Sequence, residues 1–91
     1  MRVHWSNKAL TQLADIADYL RQYSASAADK LEDDLIVASQ RLADYPKLGR
    51  IVPEGSFEQV RELLVGSHRL VYVAADFGVE IIAVLHQAQR R

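Results

Sequence analysis

Cysteine is absent from this 91-residue chain. That removes disulfide frameworks, thiol nucleophiles and thiolate metal sites together, and it suits a reducing compartment. Lysine is scarce, with Lys8, Lys30 and Lys47 the only three, and the formal net charge is −1. A domain whose main task is to grip a phosphate backbone is normally strongly basic, so nucleic acid is not the partner that composition favours. No apolar run approaches the ~20 residues of a membrane span, and the first residues, Met1 to Ser6, carry no apolar signal core. The sequence predicts a soluble, cytoplasmic chain. Only two prolines and four glycines interrupt it, so the places where they fall carry most of the information about element boundaries.

Arg2 to Trp5 reads as a short first strand. Ser6 is placed to cap a helix running to about Tyr23, whose apolar positions Leu10, Leu13, Ala17 and Leu20 follow a three-four spacing. A second helix is predicted from the start signal Ser26-x-x-Asp29, with Ala28, Leu31, Leu35, Ala38, Leu42 and Tyr45 as its apolar stripe and Pro46 as its stop. The short link between them makes an antiparallel helical hairpin. Residues 46–57 read as an irregular connection. Three β-prone runs follow, separated by Gly66-Ser67 and by Asp76-Phe77-Gly78. The expected fold is α+β in the order β-α-α-β-β-β: an antiparallel meander, a first strand at its edge or interior, and the hairpin packed across one face. All 91 residues form one domain, large enough for a core without a metal or disulfide.

Arg61, Arg69 and His86 lie among otherwise apolar strand positions, where a charge needs water, a partner or a ligand. Arg69 has an alternative as a sheet residue paired with Glu62 or Glu80. A two-residue loop at Gly66-Ser67 would put Arg61 and Arg69 on opposite faces, and a longer loop or a bulge would put them on one. His86, ending an apolar strand, reads first as an ordinary strand-end histidine and second as a functional group. His4 and His68 read as incidental, and the histidine spacing gives no metal site. Trp5 is expected to pack between sheet and helix.

The ordered set Trp5-Ser6, Leu42-x-x-Tyr45-Pro46-x-x-Gly49-Arg50, Arg61-Glu62-Leu63-x-Val65-Gly66-Ser67-x-Arg69-x-Val71-Tyr72 and Ile82-x-Val84-x-His86 resembles the RelE/ParE superfamily of toxins from type II toxin-antitoxin, or plasmid-stabilisation, systems. The resemblance spans nearly the whole chain. It implies a toxin neutralised by a cognate antitoxin, with Ala17, Leu20, Tyr23, Leu31 and Tyr45 on the hairpin as antitoxin contacts if they are exposed. It offers two activities. One branch cuts messenger RNA on the ribosome, and the other inhibits DNA gyrase by binding and has no catalytic role of its own.

Cleavage by a 2′-hydroxyl would need a proton acceptor, positive charge for the transition state and a donor for the leaving oxygen. Arg61 and Arg69 on phosphate, His86 as acid or base, and Glu54 or Glu58 as its proton partner make a nuclease parts list. The lysines and the C-terminal aromatic typical of the RNA-cutting branch are missing, with Val60, Glu62 and Gln87 at those places. The reading adopted is therefore ParE-like, with Arg61, Arg69, His86, Arg90 and Arg91 as target contacts and no catalytic residue, cofactor or metal. An endonuclease, and a relic that only binds antitoxin, are the alternatives.

Overall fold

The computed structural model describes residues 1–52 and 60–88. Strand β1 (Val3–Trp5) leads into helix α1 (Asn7–Arg21), and helix α2 (Ala25–Arg41) returns antiparallel to it. Strands β2 (Arg50–Ile51), β3 (Val60–Val65), β4 (His68–Ala75) and β5 (Gly78–His86) follow. The sheet order is β1-β5-β4-β3-β2. All pairings are antiparallel except β1 against β5, which is parallel. The α+β fold is as expected, with β1 at an edge. The added feature is β2, a two-residue strand inside the stretch expected to be irregular.

Both helices begin at a serine. Ser6 Oγ accepts from the Ala9 N–H at 3.1 Å, as its position predicts. The second cap is Ser24 and not Ser26: Ser24 Oγ accepts from the Ala27 N–H at 3.1 Å, while Ser26 Oγ only touches Ser24 Oγ. Ser24, still in extended backbone, is the residue whose hydroxyl reaches a free N–H of the first turn, whereas Ser26 already lies inside the helix and cannot cap it. α1 correspondingly ends at Arg21, before Tyr23. Arg21 then holds Asp29 and Glu32 of α2 at 2.8 Å each across the link.

The core lies between the hairpin and one sheet face. Ala9, Leu13, Leu35, Ala38 and Leu42 meet Leu70, Tyr72, Val79, Ile81 and Val84. Trp5 packs against this cluster and donates from Nε1 to Ser39 Oγ at 3.2 Å, in agreement with its expected place. Leu10, expected in the stripe, is 47% exposed, and Ala9 is buried in its stead.

Two features of register decide where the polar residues point. The β3–β4 turn is two residues long, with Val65 opposite His68. Gly66 takes φ 59° at its first central position, the II′ pattern that a side chain at that position would resist. In β5 an irregularity lies between the pairs Val71/Ala83 and Tyr72/Ile81, so Ile82 is an extra residue and everything after it changes face.

Beyond Ile81, where β1 ends, the outer edge of β5 is met by α1: Gln12 Oε1 accepts from the Val84 N–H at 2.8 Å. Among the described residues, no helix is long and apolar enough to cross a membrane.

Candidate functional site

The face of the sheet away from the helices carries a buried ionic cluster. Glu62 is 1% exposed and stands between two guanidinium groups. Arg69, itself 6% exposed, donates from Nη1 to Oε1 at 3.1 Å. Arg50, opposite Glu62 in register, donates from Nε to Oε2 at 2.7 Å. A carboxylate removed from water needs such partners. Two cations against one anion leave this group of three one charge positive. The pairing of Arg69 with Glu62 is one of the two considered from the sequence, but it is buried and includes Arg50.

Arg61 lies on the other face. It is opposite Tyr72 in register, whereas Arg69 is opposite Leu64, so the two-residue turn puts the two arginines on opposite sides. Arg61 donates from Nη1 to the Gly49 carbonyl at 2.9 Å. Beside it, the buried Tyr72 hydroxyl donates to Pro46 O and accepts from the Gly49 N–H, both at 2.8 Å. Burial pushes the Tyr72 hydroxyl pKa up, against smaller downward pulls from the Gly49 hydrogen bond and Arg61. Gly49 is required here because a Cβ would lie 2.5 Å from the Glu62 carbonyl and 2.8 Å from the Tyr72 ring.

At the end of the sheet, His86 is exposed and pairs in register with half-buried His68, the rings 5.6 Å apart and edge-on. The Ala88 N–H donates to His86 Nδ1 at 3.2 Å. Gln87 ties the strand end to the β3–β4 turn, its N–H to Ser67 O at 2.8 Å and its side-chain amide to Gly66 O at 2.6 Å. Burial first, and the neighbouring His86 second, hold the His68 imidazole below the usual histidine range. His68, read from sequence as incidental, is thus half of a histidine pair. Without the bulge at Ile82 it would face Leu85, and no sequence signal fixed that bulge. No group of three or more potential metal ligands occurs among the described residues.

Arg69 and His86 do not converge, because Arg69 pairs with Leu85 and His86 is the next residue, on the opposite face. Of the hairpin residues expected to meet an antitoxin, Ala17 is core at 1% exposure and Leu20 and Leu31 are half-buried. Tyr23 and Tyr45 are 72% and 63% exposed. Tyr19, not singled out before, is 63% exposed and its ring lies 5.5 Å from that of Tyr23. Their i, i+4 spacing, within the helix that the sequence predicts to about Tyr23, was the available signal. Glu54, Glu58, Arg90 and Arg91 lie outside the described residues.

A mixed five-stranded sheet thus carries a helical hairpin on one face, the Glu62 cluster on the other and a histidine pair at its end. The model of the ParE toxin of type II toxin-antitoxin system, parDE, matches residues 3–91. Toxin RelE2 of Caulobacter vibrioides is 35% identical over 89 residues, covering 97% of each chain. A solved chain of the chromosomal ParDE TA system from P. aeruginosa superposes with a TM-score of 0.75 over 94% of this chain and 95% of that one. Its 20% identity makes that a likeness of fold. The chain belongs to the ParE toxin family of type II toxin-antitoxin systems, within the RelE/ParE superfamily. Membership implies an antitoxin partner.

Proposed function

We propose that this toxin acts in the cytoplasm by occupying the surface of DNA gyrase, without turning over a substrate, and that its cognate antitoxin releases it. The observation that supports this reading is the opposite-face placement of Arg69 and His86, with Arg69 engaged by buried Glu62. Phosphoryl transfer within RNA needs its cation and its proton carrier within reach of a single phosphate. Binding to a protein surface makes no such demand. The target contacts under this proposal are exposed His86, the Arg90-Arg91 pair that follows it in sequence, and Arg61 at the edge.

Two assays on the same purified toxin test the reading: supercoiling with cleavage-complex formation by gyrase, and primer extension on ribosome-bound message. The expected result is inhibition in the first, relieved by antitoxin and weakened by His86→Ala, with no cuts in the second. Codon-linked cuts that disappear in His86→Ala would overturn it in favour of an endonuclease.

A further inference from the structure

The end of the hairpin where α1 turns into α2 carries an aromatic pair that no described element covers. Tyr19 and Tyr23 are 63% and 72% exposed, and their rings lie 5.5 Å apart at an angle of 60°. The buried stripe of α1 is Ala9, Leu13 and Ala17. Asp15, Asp18 and Tyr19 stand outside it, and all three are exposed. Asp15 is one helical turn before Tyr19 on the same line, so a group seated on the Tyr19 ring is within reach of its carboxylate. Ring faces beside a carboxylate suit a cation, since the face of an aromatic ring is its negative pole.

Charge at this end of the molecule is one-sided. Six carboxylates lie between residues 15 and 34 against the two cations Arg21 and Lys30, a net of −4 in a chain whose whole net charge is −1. Both cations are already held, Arg21 by Asp29 and Glu32, and Lys30 by Asp34. Among the described residues no ion pair involves Asp15, Asp18 or Asp33, and all three are exposed. The nearest cation before Asp15 on α1 is Lys8, two turns or about 10 Å away. A second copy meeting this face about a two-fold axis brings the same negative charge to it, and nucleic acid or an anionic membrane brings more, so each is repelled.

We infer that this face receives a cationic segment of the antitoxin, with an arginine or lysine of that segment over the paired tyrosine rings and ion-paired with Asp15. Arginine suits the place best, because its flat guanidinium stacks on a ring and still offers edge N–H groups to a carboxylate. Asp18 and Asp33, off the line of the rings, add to the field that draws the segment in. The inference rests on the reading that an antitoxin binds and releases this toxin, and it adds the chemistry of the contact: the antitoxin is basic where it meets the end of α1. It does not depend on the identity of the target.

Surface plasmon resonance of the intact toxin with its cognate antitoxin, at low and at high salt, tests it. Asp15→Asn is expected to weaken the complex about tenfold at low salt and less at high salt, where exposed charges are screened. Asp18→Asn is expected to slow association about threefold with little change in dissociation. Tyr19→Leu keeps apolar bulk but removes the ring face, and a loss of about tenfold is expected. Asp76→Asn, on the exposed β4–β5 turn, removes the same charge elsewhere and is expected to change binding by less than about twofold. Circular dichroism checks that each variant is folded. Asp15→Asn toxin that binds as well as wild type, or better, overturns the inference, and so does a loss in Asp76→Asn equal to that in Asp15→Asn. If Tyr19→Leu weakens binding and Asp15→Asn does not, the antitoxin docks on the rings through a segment that is not cationic, and only this inference falls. If neither matters, antitoxin contact at this end of the hairpin falls with it.

Discussion

Glu62 and Arg69 form a buried ion pair on the helix-free face of the sheet, the carboxylate on β3 and the guanidinium on β4, with Arg50 closing the carboxylate from the edge. Removing one member of such a pair leaves a charge in a poorly solvated place, whereas replacing both with apolar groups does not. Arg69→Ala is expected to destabilise the toxin by about 3 kcal/mol in urea denaturation. The double variant Glu62→Leu, Arg69→Met is expected to lose distinctly less. Equal losses in the two would mean that packing, and not charge, dominates at this position.

The Tyr72 hydroxyl fastens the chain between α2 and β2 to the core through Pro46 and Gly49. Tyr72→Phe leaves a buried carbonyl and a buried N–H without this partner, and should cost about 2 kcal/mol. Gly49→Ala forces a methyl against backbone and ring, and a loss of about 2 kcal/mol is expected there too. Thermal melts of the two variants measure both. Because Arg61 rests on the Gly49 carbonyl, a Gly49→Ala toxin that folds should also show a displaced Arg61 in a crystal structure.

Serine at the helix starts gives a discriminating comparison. Ser24→Ala removes the acceptor of the Ala27 N–H and is expected to cost about 1 kcal/mol, as is Ser6→Ala. Ser26→Ala should change stability by no more than about 0.5 kcal/mol, since its hydroxyl is exposed and caps nothing. A larger loss for Ser26→Ala than for Ser24→Ala would reverse the assignment of the cap.

The histidine pair predicts a pH dependence of known sign. His68 is held below the ordinary value of about 6.5 in the folded chain. The unfolded chain therefore binds the proton more readily, and stability falls as pH drops through that ordinary value toward the lowered one. Above it the contribution is flat. His68→Gln should flatten the stability profile on the acid side of neutrality, and His86→Gln should flatten it less, since the neighbouring charge is the second cause and burial the first. An unchanged acid slope in His68→Gln would contradict the assignment.

Antitoxin contact is expected at the C-terminal end of α1, where the exposed rings of Tyr19 and Tyr23 lie tilted against each other. Aromatic side chains of this kind dominate the energetics of protein interfaces. Replacing both with serine should weaken antitoxin binding by about tenfold or more in calorimetry, while leaving the melting temperature of the free toxin nearly unchanged. Ala17→Ser should do the opposite, since it lies inside.

Much of this arrangement was legible in the sequence, and the exceptions have a common cause. The helical hairpin, the meander and Trp5 under the helices follow from local periodicity and turn residues, whereas the edge position of β1, left open against an interior one, is set by its pairing with β5. Glu62 gave no such sign: it alternates with Leu63 as a solvent-facing residue would, and only its opposite neighbour Arg50 and its diagonal neighbour Arg69 explain its burial. The pairing of His68 with His86 needed an extra residue in β5 that neither glycine nor proline marks. β2 was hidden by its length of two residues. Local patterns report which way a side chain alternates, but the neighbour it meets depends on registers set by turns and bulges elsewhere in the chain.

Gln12 has a consequence for solubility. By holding the Val84 amide it works as a stopper on the far border of the sheet, at the point where β1 ends and a strand as long as β5 would otherwise lie bare. A single carboxamide, anchored on a helix that cannot slide, thus denies misfolded neighbours a place to zip on.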